Sequence, residues 1–219
     1  MIIHILTKLI SLVYNANDIS FFNCFGGVDL PRSGLNRELV ADASIALIEE
    51  CGAEFFTVNE LARRLGVKPA SMYNHIESIE SLTGEVGYRI GSMIRDHLLE
   101  AIAGKHRDEA LFALCFEFRN YVKAHIELYK VIMGMQKDKN SLTEKTCGQL
   151  IEPILAVLSD YKLTENEIMH WQRILRALMD GFITHEHAGE FKHFPLDSND
   201  TYKIALEAVI VSLHSAEKE

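Results

Sequence analysis

The chain has 219 residues, of which 48% are apolar and 24% charged, and its formal net charge at neutral pH is −9. A chain of this length and apolar content can bury a core as one or two domains, which excludes a disordered protein, and its acidity gives no whole-protein signature of nucleic-acid binding. The four cysteines (Cys24, Cys51, Cys115, Cys147) are far apart without a CxxC pair, so the sequence indicates neither a zinc site nor a disulfide framework and favours the reducing cytoplasm.

Residues 1–34 differ in pattern from the rest of the chain. Residues 1–13 form an apolar run interrupted by Lys8, which is too short for a membrane-spanning helix. Three interpretations stay open: a weak export signal, an added helix or strand that packs on the body, or a non-native or mis-started extension. We favour the third, because helical periodicity begins abruptly at Leu35 and no cap or motif precedes it. The helix that starts there is expected to end at Cys51-Gly52.

Residues 57–75, TVNELARRLGVKPASMYNH, predict two short helices joined by a tight turn. Thr57 and Glu60 have the form of a capping box, and Gly66 is a typical helix stop. Pro69 suits the first turn of the second helix, where no N–H is lost. The inward face of this second helix is expected to contain Ala70, Met72, Tyr73 and Ile76. Such a unit places its second helix in the major groove of DNA, although a plain helical hairpin in a bundle is the alternative.

If the unit binds DNA, the side chains off the apolar face of the second helix contact the bases. These are Lys68, Ser71, Asn74 and His75, and Tyr73 can reach a phosphate through its hydroxyl.

The remaining chain predicts further helices and no strand. Ser78 offers a cap for a long fourth helix that stops at Gly104, and Thr164 with Glu167 repeats the capping-box form. Helical segments are expected at about 107–126, 127–136, 141–160, 165–189 and 199–215. The fold class is therefore all-α.

Aromatic and methionine side chains in the later helices are numerous enough to line an apolar ligand pocket between helices. The candidates are Phe112, Phe116, Tyr121, Met133, Trp171 and Met179, although each one taken alone is more often a core residue than a ligand contact. Asp180 lies in a helix rich in Leu, Met and Phe, so it either addresses a ligand or pairs with Arg176 four residues earlier.

No pattern for a metal, a cofactor or catalysis stands out. In His185-Glu186-His187 the two imidazoles fall on opposite sides of a helix, and HExxH spacing is absent, so we expect no metal site. The sequence has no nucleophile elbow, phosphate loop or dinucleotide fingerprint, so we expect no cofactor and no enzymatic activity.

A helix ending in EECG and followed by TVNELARRLGVKPASMYNHIESIESL resembles the N-terminal DNA-binding domain of the TetR family of bacterial transcription regulators. The resemblance implies a three-helix head at residues 35–84 and an all-α body for ligand binding and dimerisation at residues 85–219. It also implies a cytoplasmic homodimer that binds operator DNA, most often as a repressor, and is released by a small, apolar molecule.

The resemblance also assigns roles to single positions. Thr57 and Asn59 fall where the family contacts the DNA backbone and bases, and the recognition turn and helix carry Lys68, Ala70, Ser71, Tyr73 and His75. Glu60 and Glu80 depart from the family, which often has basic residues at or beside these positions.

The head is acidic for a DNA-binding domain. Residues 35–84 contain four basic side chains, Arg37, Arg63, Arg64 and Lys68, against eight acidic ones. Phosphate contacts supply much of protein–DNA affinity, so binding is expected to be weak or strongly salt-dependent unless Arg63, Arg64 and Lys68 are arranged favourably. The alternative function is therefore a helical sensor or interaction protein of the same fold with weak or lost DNA binding.

The body carries a second resemblance. The strings HIELYKVIMG and WQRILRALMDGFITHE resemble the C-terminal domain of a TetR subgroup marked by a Trp-His-Gly signature, although Asp180-Gly181 stands where that signature has His-Gly. The family's last two helices form the dimer interface, which here implies residues 165–189 and 199–215. The apolar positions in those helices include Ile168, Leu175, Leu178, Phe182, Ile204, Leu206, Val209 and Leu213.

Overall fold

The computed structural model describes residues 35–135, 141–193 and 195–217, and the interpretations of residues 1–34 lie outside this range. Within the described residues the regular structure is entirely helical, which confirms the all-α prediction. No helix of that part of the chain combines the length and apolar character that crossing a membrane requires.

The described residues contain nine α-helices and two short 3-10 turns, at Ala53–Phe55 and Glu190–His193. The helices are α1 (Arg37–Cys51), α2 (Val58–Arg64), α3 (Pro69–Met72), α4 (Ile79–Ile102), α5 (Arg107–Ala124), α6 (Ile126–Gly134), α7 (Ser141–Leu158), α8 (Glu165–His187) and α9 (Ser198–Ala216). Each predicted segment agrees with an observed helix to within a few residues, because caps and helical periodicity are local signals.

The described chain divides into two compact units. The first comprises residues up to Val86 together with Lys130–Met135, and the second comprises Gly87–Tyr129 and the described residues from 141 onward. The predicted division of roles at residue 84 stays a prediction.

In the first unit, α1 packs against α2, and α2 packs against α3. The Asn36 side chain caps α1 by accepting from the N–H of Leu39 at 2.8 Å. The interior is formed by fully buried apolar residues at helical spacing, including Leu47, Ile48, Leu61, Leu65 and Met72. Burial of such side chains contributes about 1.5–3 kcal/mol each relative to exposure, so this small unit has a core of its own.

In the second unit, α5, α7 and α8 pack against one another. The Thr164 capping box is complete: Thr164 Oγ1 accepts from the N–H of Glu167, and the Glu167 carboxylate accepts from the N–H of Thr164 at 2.7 Å. At Gly91 a Cβ would lie 2.7 Å from Gln149 Oε1, so the absent side chain permits a close approach of α4 and α7.

The expectation about cysteines is wrong at one position. Cys51 is disulfide-bonded, whereas Cys115 and Cys147 are free thiols. Burial raises the pKa of the Cys115 thiol to about 12, which makes it unreactive. Cysteine spacing alone does not reveal whether a cysteine is paired, so the sequence did not indicate this disulfide.

Candidate DNA-binding site

The turn between α2 and α3 has the predicted geometry. Thr57 Oγ1 accepts from the N–H of Glu60 at 3.2 Å, which confirms the cap of α2. Gly66 ends α2 with φ +65°, a left-handed conformation that glycine adopts without a Cβ clash. The box is only half formed, because the N–H of Thr57 donates to Phe55 O at 2.8 Å and the Glu60 carboxylate accepts from Arg63 Nε at 2.9 Å.

The second helix of the hairpin, α3, is a single turn. Pro69 occupies its start as predicted, and the N–H of Ile76 continues the turn by donating to Met72 O at 3.0 Å. Met72 and Ile76 are buried, but Ala70 and Tyr73 are not, so the prediction that those two face inward is wrong. The helix ends at Met72, and the following Tyr73 turns away from the buried Met72, so that 57% of Tyr73 is exposed.

Most of the predicted DNA-binding residues are accessible. The exposed ones are Thr57, Asn59, Arg63, Lys68, Ala70, Tyr73 and Asn74, and the half-buried ones are Ser71 and His75. Seven exposed side chains therefore border the short hairpin that the capped turn presents.

Arg64 differs from the other members of the predicted set because it is buried. Only 5% of its side chain is exposed, and its Nη2 donates to Glu50 Oε1 at 2.7 Å. Its Nε and Nη1 have no hydrogen-bond partner among the described residues. The guanidinium thus links α2 to the end of α1 and is not presented to solvent.

Ion pairs engage most of the positive charge of the head. Arg37 pairs with Glu85, and Arg63 pairs with Glu60. The hydrogen bond from Arg63 lowers the pKa of the Glu60 carboxyl. With Arg64 bound to Glu50, Lys68 is the one cation of residues 35–84 for which the described structure holds no partner.

Glu80 lies in the first turn of α4. Hydrogen bonds from its own backbone N–H and from Ser78 lower the pKa of its carboxyl, as expected for an acidic side chain at a helix N-terminus. The same negative charge would repel a DNA phosphate. Ser78 Oγ also accepts from the N–H of Ser81 at 3.1 Å, which confirms the predicted cap of this helix.

The predicted ligand residues are only partly brought together. The rings of Phe112 and Phe116 stack at 6.3 Å, and Phe116 meets Tyr202 edge-on at 5.3 Å. Tyr121, by contrast, lies 4.8 Å from the His97 ring and 4.6 Å from the His125 ring.

Three further members of that set lie at different depths. Trp171 is half-buried and Met179 is buried, whereas Met133 is 55% exposed and belongs to Lys130–Met135 of the first unit. The exposure of Met133 differs from the prediction that it lines an apolar pocket.

Asp180 is engaged by a tyrosine. Tyr129 donates its hydroxyl hydrogen to Asp180 Oδ1 at 2.5 Å. Burial and the nearby Asp180 charge raise the pKa of Tyr129, so it remains a donor. A ligand that addresses Asp180 would share this carboxylate with Tyr129.

A cleft of about 340 Å³ opens in the second unit between α4 and α5. His97 and Glu117, whose side chains approach to 3.3 Å, form part of its lining. The other lining residues are Glu100, Ala101, Lys105 and Ala113. None of the seven predicted ligand residues lines this cleft.

Comparisons with known proteins agree with this architecture. A family model described as the tetracyclin repressor-like, C-terminal domain matches residues 111–209, which span most of α5 to α9. An HTH-type transcriptional regulator of Mycobacterium tuberculosis is 29% identical over 166 residues, which cover 75% of this chain and 76% of that protein. The class D tetracycline repressor protein of Escherichia coli is 30% identical over 105 residues, 48% of each chain.

Solved structures share the fold. A transcriptional regulator of Streptomyces coelicolor described as a TetR superposes with a TM-score of 0.66 at 15% identity, covering 84% of this chain and 100% of that one. A TetR variant from Acinetobacter baumannii, solved in complex with minocycline, superposes with a TM-score of 0.63 at 15% identity, covering 85% and 100%. The predicted Trp-His-Gly subgroup remains a prediction. Residues 111–209 thus match a tetracyclin repressor-like C-terminal domain, and the chain is similar to HTH-type and TetR-type transcription regulators, which supports assignment to the TetR family.

Proposed function

We propose that the protein is a homodimeric repressor that binds operator DNA through α2 and α3 and is released by a small, apolar molecule. The observation that carries the DNA contact is the exposure of Lys68, Tyr73 and Asn74 around a one-turn helix whose other side is anchored by Met72 and Ile76. A rigid support with polar and aromatic side chains on its free face suits a reader of the major groove.

Roles follow from side-chain chemistry. Lys68 and the Tyr73 hydroxyl contact phosphates, which position the head without reading sequence. Ser71, Asn74 and His75 can hydrogen-bond base edges, which supply the sequence preference.

At the start of α2, Thr57 and Asn59 flank the groove, and Ala70 allows the backbone of α3 to approach closely. Arg63, which is exposed, is proposed as a further phosphate contact. Arg64 leaves the proposed set, because its buried guanidinium has a structural role.

A second copy of the chain is proposed to dock on α8 and α9. Leu175, Leu206 and Leu213 of the predicted interface are fully buried within one copy and hold the two helices to the body. Other apolar residues of these helices are exposed instead, namely Met169, Ile174, Ile204 and Val211. Contact between copies would remove this apolar surface from water, and a dimer sets two recognition helices about 34–36 Å apart, one DNA turn.

The ligand is proposed to bind among the side chains of α5 and α8. Phe112, Phe116 and Trp171 are half-buried, so their rings can still gain contacts, and Tyr121, Met179 and Asp180 complete the proposed set. Met133 belongs to the first unit and is left out of it. A ligand that binds better to a conformation with the wrong head spacing would release the DNA by shifting the population. The cytoplasm is the expected location, and no cofactor and no catalytic step is proposed.

The proposal is tested by binding to the DNA upstream of the protein's own coding sequence at 50 and 200 mM salt, roughly the range over which phosphate contacts weaken strongly. We expect sequence-specific binding that falls with salt, and Lys68→Ala is expected to lower the salt slope by about 0.9. Lys162→Ala, an exposed lysine of the body, is the matched control. Absence of specific binding at low salt would contradict the DNA-binding role.

A helical sensor or interaction protein with weak DNA binding is the second candidate. It is favoured by one observation: three of the four cations in the head are paired with carboxylates. A wild-type protein that dimerises and binds a ligand, but binds DNA without sequence preference at low salt, would support this candidate over the repressor.

A further inference from the structure

Arg119 of α5 is a buried arginine, only 1% exposed, and its guanidinium joins three helices. Its Nε and Nη2 donate to the two carboxylate oxygens of Glu186, in the last turn of α8, at 2.8 and 2.7 Å. Nη1 donates to Asn199 Oδ1 at 2.8 Å, and Nη2 also donates to Ser198 Oγ at 3.1 Å, both in the first turn of α9. One planar group therefore contacts the end of α8 and the start of α9.

We propose that Arg119 is a positioning residue that fixes α9 against α8 and thereby shapes the face on which a second copy of this chain docks. The inference rests on the dimer proposed above, because that dimer uses the outer surface of the same two helices.

The orientation of the guanidinium is set by two rings. Its Cζ lies 5.3 Å from the Phe182 ring centre on α8 and 5.1 Å from the Tyr202 ring centre on α9. The two rings are themselves 4.7 Å apart, and the Tyr202 hydroxyl donates to Cys115 O of α5 at 3.1 Å. Stacking and hydrogen bonding together leave the fork of Arg119 little freedom to turn.

The network specifies geometry more than it adds stability. A buried ion pair loses much of its Coulomb energy to desolvation, so similar-sized apolar side chains can often replace it without loss of stability. The apolar side chains would not, however, distinguish one register of α9 from another, whereas hydrogen bonds are directional. Ser198 Oγ donates to Glu186 Oε1 at 2.9 Å, which ties the two helix ends directly as well.

The carboxylate in this cluster stays charged over a wide pH range. Hydrogen bonding from Arg119 is the main reason that the pKa of Glu186 is lowered to about 2. Lys123 adds a second cation, with its Nζ 3.0 Å from Glu186 Oε1. The ionic fork is therefore intact at any pH at which the protein would bind DNA.

The outer face of α9 depends on the position of its inner face. Asn199, Tyr202 and Leu206 recur at helical spacing and point toward the body, where Tyr202 and Leu206 are fully buried. Ile204 and Val211 lie on the other side and are 65% and 66% exposed. A turn or slide of α9 about the Arg119 cluster would move these two side chains together, relative to the exposed Ile174 of α8.

The discriminating variant is Arg119→Met combined with Glu186→Met. It replaces the ion pair with apolar side chains of similar size and leaves no unpaired charge buried. We expect the midpoint of urea unfolding to remain close to wild type, while the dimer dissociation constant rises roughly tenfold or more. Sedimentation velocity over a dilution series measures that constant, at a temperature where circular dichroism shows both proteins folded.

The matched control is Arg107→Met combined with Glu217→Met. This pair also joins α5 to the α9 end, with Arg107 Nη1 and Nη2 donating to Glu217 at 2.8 and 2.7 Å, but Arg107 is 41% exposed. This ion pair lies at the end of α9 opposite to the Arg119 contacts, and water can hydrate it. We therefore expect its loss to change the dimer dissociation constant by less than about threefold.

An unchanged dissociation constant in the Arg119 and Glu186 double variant would overturn the proposal, and so would an equal increase in the control. If the double variant fails to fold, Ser198→Ala with Asn199→Ala removes the two α9 acceptors of Arg119 and the Ser198 hydrogen bond to Glu186. An unchanged constant there would overturn the proposal as well. A wild-type protein that is monomeric at all concentrations would instead contradict the dimer itself. A wild-type protein that dimerises but does not bind DNA would contradict only the DNA-binding role.

Discussion

The two buried arginines, Arg64 in the head and Arg119 in the body, show opposite uses of the same side chain. Arg64 makes one hydrogen bond, to a Glu50 side chain that is 43% exposed, and leaves Nε and Nη1 without a partner among the described residues. Arg119 makes four hydrogen bonds to three residues and lies against two rings. Burial alone therefore does not define the role of an arginine; the number of satisfied donors does.

The difference extends to the two regions as a whole. In the head, Arg63 and Arg37 pair with carboxylates near the surface, where water and salt compete for both partners. In the body, charged groups hold helix ends together beneath the surface, as at Glu186. The head can thus exchange its ionic partners for DNA phosphates at small cost, whereas the body cannot exchange its own without losing helix geometry.

The largest expected effect separates the two arginines. Arg119→Ala leaves the Glu186 carboxylate without its main partner in a largely buried position, and it should reduce the free energy of unfolding by about 3–5 kcal/mol. Arg64→Ala should cost about 1 kcal/mol or less, since the Glu50 side chain is 43% exposed and can be hydrated when Arg64 is removed.

Urea unfolding followed by the fluorescence of Trp171, the single tryptophan and a residue of the body, measures the first effect. Arg64→Ala should leave the urea midpoint of the Trp171 fluorescence unchanged. Its effect should appear only in the part of the circular dichroism change that comes from unfolding of the head. Lys123→Ala, which removes the exposed partner of Glu186, is the control and should cost less than about 1 kcal/mol. Equal losses for the two arginines would show that the satisfied donors do not matter.

An intermediate effect concerns acid stability. The pKa of Glu186 in the folded protein is about 2, below its ordinary value of 4.5, chiefly because of Arg119. A carboxyl with a lowered folded pKa stabilises the fold above its unfolded pKa, and that contribution is lost as pH falls through the folded value. The stability difference between wild type and Glu186→Gln should be constant above about pH 5.5, shrink below pH 4.5 and vanish near pH 2.

Urea midpoints of the Trp171 signal, taken at several pH values, measure this difference. The corresponding substitution Glu60→Gln in the head serves as the comparison, because Glu60 is paired with Arg63 closer to solvent and should change the body signal at no pH. If the stability difference between wild type and Glu186→Gln did not depend on pH, the charge of Glu186 would not be the source of its stabilising effect.

Local sequence signals predicted the helices and their caps, whereas long-range pairings escaped them. Thr164 with Glu167 and the left-handed Gly66 were identifiable because every participating atom lies within a few residues. Arg64 and Glu50 belong to different helices and meet only after the hairpin packs on α1. No local pattern distinguishes such an arginine from the exposed Arg63 beside it.

The Arg119 cluster has one local signal in the sequence. Arg119 follows Leu111 and Cys115 at intervals of four residues, so it occupies a position in the buried stripe of α5. A charged residue within such a stripe indicates a buried partner, although its identity depends on helices that begin dozens of residues later. The same limit applies to Tyr73, whose apolar ring suggested burial, since one turn of helix has room to bury only Met72 and Ile76.

The smallest expected effect probes the head. Glu60→Gln removes the carboxylate that accepts from Arg63 Nε at 2.9 Å, so the Arg63 guanidinium loses a charged partner that competes with phosphate. Operator binding should tighten about two- to fivefold, and the salt slope should become steeper by about 0.9, as expected for one more phosphate contact. Fluorescence anisotropy with labelled operator DNA at several salt concentrations measures both quantities.

Glu54→Gln is the matched control, because it removes the same charge from an exposed position of the head without releasing an arginine. If Glu54→Gln tightened operator binding as much as Glu60→Gln, the effect would be the general result of a less acidic head, and Glu60 would have no special role. A gain that disappears when Arg63→Gln is added to Glu60→Gln would assign the effect to this one arginine. The weak attraction of the head for DNA phosphates would then result from the pairing of its cations with carboxylates as much as from their small number. This exchangeable surface pairing is what most distinguishes the head from the body.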